Sequence, residues 1–140
     1  MSSLDSLIRL HGWRLEEKRR VLADLESLMD ELKRRARDLE AEIHNEQSAA
    51  AGSDEAAYAY GAYAAEAINR REKLAQSAVE IASKIELARD DVRTAFQEVK
   101  KYEIALERKV KRERLEAARR ERIEENDLGV EVFRRKRSGR

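Results

Sequence analysis

The sequence predicts an all-α protein, a long two-helix antiparallel coiled-coil hairpin whose second helix overhangs the first at its C-terminal end. Three observations predict it. Apolar residues recur every 3.5 positions from Leu4 to Ile43; the rhythm fades near Gly52 and then resumes; proline and cysteine are absent. Charged residues make up 42% of the 140-residue chain and aromatics 5%, against a thick-cored globule. Alanine, leucine, arginine and glutamate dominate, as in long helices and coiled coils.

The first helix follows from its heptads. Ile8, Leu15, Leu22, Met29, Ala36 and Ile43 take one seam position, and Leu4, His11, Lys18, Leu25, Leu32, Leu39 and Glu46 the other. Six heptads without a stutter are a strong coiled-coil signal. Leu7, Val21 and Leu28 lie beside the seam and widen the apolar stripe beyond one narrow partner. Ser2, three residues before Asp5, suits a cap at the start. His11 is expected as a partly buried seam histidine. Gly12 inside the helix costs about 1 kcal/mol relative to alanine. Trp13, the single tryptophan, falls opposite the seam with Arg9 and Arg20 on nearly the same side.

The connection comes next. The pattern fades at Gln47–Ala51, and Gly52-Ser53-Asp54-Glu55 reads as a tight turn. Glycine can end a helix in the left-handed conformation, Ser53 can cap the next one, and two carboxylates then suit its positive end.

The second helix carries Ala64, Ala67, Arg71, Leu74, Ala78, Ile81, Ile85, Ala88, Val92, Ala95, Val99, Tyr102 and Leu106 along its seam. From Glu107 to Glu125, 14 of 19 residues are charged and no apolar face persists. Asn126-Asp127-Leu128-Gly129 reads as a helix stop and Phe133–Arg140 as a basic tail without order. Residues 1–127 thus form one domain, with helices over about 3–50 and 54–126 joined at 51–53, and 128–140 a disordered tail. The pairs Glu16–Arg20, Glu31–Arg35, Glu66–Arg70 and Glu107–Lys111 support the helices at i,i+4 spacing. At 1.5 Å per residue the helices are about 70 and about 105 Å long. Pairing outward from Gly52 puts Leu4 near Lys100 and leaves the end of the second helix unpartnered.

Composition narrows function. Thirty basic and 29 acidic residues nearly cancel, so the whole chain has no strong preference for nucleic acid or anionic lipid. There is no glycine-rich phosphate loop, metal-ligand spacing or nucleophile motif, so no enzyme and no cofactor is expected. No apolar run approaches the roughly 20 residues of a transmembrane helix. The start lacks a secretory signal, and a soluble cytoplasmic protein is expected. Three patches suit partner binding: Tyr58, Tyr60 and Tyr63 beyond the turn; Arg9, Trp13, Arg14, Arg19 and Arg20; and Lys100, Lys101, Glu107 and Arg108 leading into the unpartnered stretch. The tyrosines alternatively pack across the hairpin tip, and the arginines alternatively form a solvated face.

With the hairpin argued, the chain resembles the FliJ family, soluble components of the flagellar type III export apparatus. The resemblance covers roughly residues 2–127. It lies in "LDSLIRLHGWRLEEKRRVLADLE", in "YGAYAAEAI" at the start of the second helix, and in "AFQEVKKYEIALERK" followed by "EEND". Gly12 and Ala49–Ala51 depart from the family pattern. The resemblance implies a stalk similar to the central stalk of rotary ATPases. Its partners would be the flagellar export ATPase ring, the cytoplasmic domain of the membrane export-gate protein, and export chaperones. It also implies a cytoplasmic place, peripheral to the flagellar basal body at the inner membrane. By analogy, the end carrying both termini (around Arg9–Arg20 and Lys100–Glu125) would enter the ring, and Tyr58, Tyr60 and Tyr63 would face the gate. Two other readings remain: the equivalent stalk of a virulence type III secretion system, and a nucleic-acid-binding coiled coil using the basic tail.

Overall fold

A computed structural model describes residues 3–139. It contains two helices, α1 (Ser3–Ala50) and α2 (Asp54–Ser138), and among the described residues there is no strand. Inter-residue contacts divide the chain into two compact units, Met1–His11 with Gln97–Arg140, and Gly12–Phe96. In a two-helix seam each residue touches only near neighbours along the pair, so contacts stay local. Ser2, the expected cap of α1, lies outside the described residues, as does Arg140.

In the Gly12–Phe96 unit the helices run antiparallel. Leu32, Ile81 and Ile85 form one buried cluster, with Leu22, Leu25, Met29 and Leu74 packed against it. Leu39, Ile43 and Ala67 form another, joined by Tyr63 and Leu74. Ala67 is 2% exposed beneath these larger neighbours; a small side chain lets the two backbones approach there. Among the described residues, the nine buried apolar ones, from Leu15 to Val99, lie on the seams read from the heptads. Lys18, formally a seam residue, is exposed and reaches Asp91 at 4.0 Å instead. Val21 and Leu28 flank the seam and stay about half exposed, because a single partner helix cannot cover a stripe that wide.

The register differs from pairing outward from Gly52. Arg71 forks onto Glu40 (2.7 and 3.0 Å) and Arg70 meets Glu42 at 3.1 Å. In the other unit the His11 and Tyr102 rings stack at 4.8 Å. Within that unit, positions near 102, rather than 93, therefore stand opposite position 11. The offset follows from fitting large side chains over alanines, which a count from the turn does not contain. Local pairs rearrange too. Glu31 holds Arg35 at 3.2 Å as expected and Arg34 as well. Glu16 takes Arg19 at 2.9 Å rather than Arg20, and Arg70 crosses to Glu42 rather than Glu66.

The connection closes without a left-handed residue, since no glycine among the described residues has positive φ. Gly52 N–H donates to the Ala49 carbonyl at 3.1 Å, tightening the last turn of α1. A Cβ at Gly52 would sit 3.3 Å from that oxygen, so close approach, not handedness, favours glycine. The Ser53 hydroxyl accepts from Ala56 N–H at 3.1 Å, a helix cap as read from the sequence.

The expected stop at Asn126–Gly129 and the disordered tail are both overturned: α2 continues to Ser138. Charge explains it. A helix ending near Asn126 would place Glu124, Glu125 and Asp127 at its negative pole. Extension puts Arg135, Lys136 and Arg137 in the last turn, where cations are favoured. Glu131 also supports Arg135 at 3.7 Å.

Candidate functional site

The sequence-predicted binding residues fall into three groups that occupy separate stretches. The first is the tryptophan face in the Gly12–Phe96 unit. Trp13 is 63% exposed, outside the seam as its heptad position requires. Arg14 beside it is exposed. Arg20, two turns along the same face, is turned toward Glu17 at 3.1 Å, and Arg19 toward Glu16. Two of the arginines are thus neutralised locally. What this face offers is a large uncovered indole within a balanced charge field. Arg9 is exposed within the other unit.

The tyrosine group splits. Tyr58 is 88% exposed. Tyr60 and Tyr63 share a face, with ring centroids 6.1 Å apart and planes tilted by 41°. Tyr63 packs against the Leu39–Ile43–Ala67 cluster. Its hydroxyl is shut off from solvent and makes no hydrogen bond of ordinary geometry. Burial raises its pKa above the ordinary 10.0; the Glu42 carboxylate, close enough to act on it, adds to the rise with Glu46, and Arg70 opposes. Tyr63 therefore belongs to the packing, Tyr60 borders it, and Tyr58 remains available to a partner. An open groove beside Tyr60 and Tyr63 is lined by Glu46, Ala49, Ala50, Ala56 and Ala59.

The third group lies in the unit that contains Gln97–Arg140. Lys100 pairs with Glu103 at 3.2 Å and Lys101 with Glu98 at 3.6 Å. The Lys101 ammonium also sits 5.1 Å from the centre of the Tyr102 ring that stacks on His11. Glu107 and Arg108 are exposed. A groove here is lined by Glu103, Leu106, Glu107, Val110, Lys111 and Arg114. From Val110 onward every described residue is exposed. Sequence reasoning missed the apolar members of this stretch. Leu128, Val130, Val132 and Phe133 lie on ordered helix at 67, 57, 47 and 64% exposure. The signal was present in "VEVF" directly before "RRKR", hidden by reading the segment as unstructured.

Chemically these are exposed aromatic and charged surfaces. Among the described residues no cluster of His, Asp or Glu is placed to hold a metal. No described helix is long and apolar enough to cross a membrane. Compared with known proteins, the chain matches no family profile, no curated protein and no solved structure.

Proposed function

We propose that this chain is a non-enzymatic, stalk-like component of the flagellar type III export apparatus. In this reading it binds the export ATPase ring and the cytoplasmic domain of the export-gate protein and promotes export and chaperone escort. It works in the cytoplasm at the inner-membrane basal body. The observation that carries the reading is the end of α2. Val110 to Gly139 is helical almost throughout yet buried nowhere, so a long charged helix is left free for a ring-shaped partner. The Glu131–Arg135 ion pair on it is solvated and contributes under about 1 kcal/mol. Many weak, screened contacts suit a shaft that binds without locking. Trp13 and Tyr58 supply exposed aromatic anchors of the kind that dominate interface energies.

The test is a pull-down and hydrolysis assay with the flagellar export ATPase. Binding and a changed hydrolysis rate are expected. Trp13→Ala should weaken binding while melting shifts by less than about 0.5 kcal/mol, as for an exposed side chain. Absence of both binding and any change in hydrolysis sinks the proposal.

A further inference from the structure

We propose that the last turns of α2 form an anionic-lipid-binding element, a peripheral membrane contact independent of the stalk reading. Arg134, Arg135, Lys136 and Arg137 are four consecutive cations on ordered helix that extends to Ser138. Val130, Phe133, Arg134 and Arg137 stand at i, i+3, i+4 and i+7, so they share one face. Val130 and Phe133 on that face are 57% and 64% exposed. Arg135 points elsewhere, toward Glu131 at 3.7 Å.

This juxtaposition is the chemistry of a polybasic membrane-surface contact with exposed apolar side chains among the cations. A polybasic cluster is drawn to the negative surface potential of a bilayer, and apolar side chains beside it enter the headgroup–acyl boundary. The contact is confined to the last two or three turns. Upstream, Glu124, Glu125 and Asp127 oppose an anionic surface. The whole chain is nearly neutral, so attraction comes from this local block alone. Nucleic acid offers the same phosphate charge, but its backbone has no apolar layer for Val130 and Phe133. Their exposure beside the cations favours lipid. No described helix is long and apolar enough to span, so the contact is adsorptive and reversible.

The experiment uses the full chain and vesicles of phosphatidylcholine with or without about 30% phosphatidylglycerol, an anionic lipid. Co-sedimentation should rise at least about fivefold with the anionic lipid and fall steeply with salt. It should drop about tenfold in the Arg134→Ala, Arg135→Ala, Lys136→Ala, Arg137→Ala variant, with helicity checked by circular dichroism. Insertion is read separately. Phe133→Trp in a Trp13→Phe background should show emission shifted to the blue on adding anionic vesicles. Equal binding to neutral vesicles overturns the proposal, and so does an unshifted emission spectrum. Retention on duplex DNA tighter than on vesicles, and unchanged by Phe133→Ser, overturns it in favour of nucleic acid.

Discussion

Ile81, Ile85 and Ala88 of α2 are 5–8% exposed, whereas Leu115, Ile123 and Leu128 of the same helix are 54–67% exposed. Composition alone does not separate these stretches, since both mix charged residues with aliphatic ones. Spacing does. The first set recurs at seam intervals, and Ile81 and Ile85 cluster with Leu22, Leu25, Met29 and Leu32; the second keeps no common seam. One stretch is held by burial, the other by helix propensity, local ion pairs and favourable charges at its end. The same secondary structure therefore rests on two different physical supports.

The comparison is broken most strongly at Leu39, 3% exposed between Ile43 and Ala67. Leu39→Ala should cost about 2–3 kcal/mol, the lower part of the usual range because the seam is thin. Leu115→Ala should shift stability by less than about 0.5 kcal/mol. Denaturant melts of both variants check the pair, and similar losses would erase the distinction.

Gly12 sharpens it. Apart from its chain neighbours and the backbone of its own turns of helix, nothing lies within 4 Å of a Cβ at this position. Gly12→Ala should therefore stabilise the fold by up to about 1 kcal/mol. A destabilised variant would reveal a close neighbour at that site.

Gly129 probes the exposed stretch. Its Cβ site is also open, and the helix runs through it. Gly129→Ala should slow amide exchange around residues 124–136 by up to about fivefold without moving the global melt. Unchanged exchange would mean the helix stops before Gly129 after all.

The smallest effect belongs to Tyr63. Its pKa is raised above 10.0, first by burial. The folded state then holds the phenolic proton more tightly than the unfolded one. The contribution is complete below about pH 10 and is lost as pH rises through the folded value. Tyr63→Phe should make the alkaline loss of stability shallower, and should keep or raise Tm because an unpartnered hydroxyl is removed. An unaltered alkaline slope would exclude Tyr63 as its source.

Much of the molecule was legible in its residues. Among the described residues, heptad spacing located every buried apolar side chain, put Trp13 outside, and made His11 a seam residue. Gly52-Ser53-Asp54 marked the connection, and Ser53 does cap α2. Among the candidate site residues, the shared face of Tyr60 and Tyr63 followed from helical spacing. The burial of the Tyr63 hydroxyl did not, because it depends on Leu39 and Ile43 from the other helix. At Asn126–Gly129 the turn-forming residues suggest a stop, but the helix dipole favours ending among Arg135, Lys136 and Arg137 rather than among Glu124, Glu125 and Asp127.

The sequence by itself determined two helices, their junction and the face each one buries, because those depend on backbone propensity and a period shared by every turn. Tertiary structure alone decided the axial offset that brings Arg71 to Glu40 and Arg70 to Glu42. A heptad pattern slid by one repeat still matches apolar to apolar. The choice among such slides rests on which large side chain sits over which alanine, and on which charges then meet across the seam.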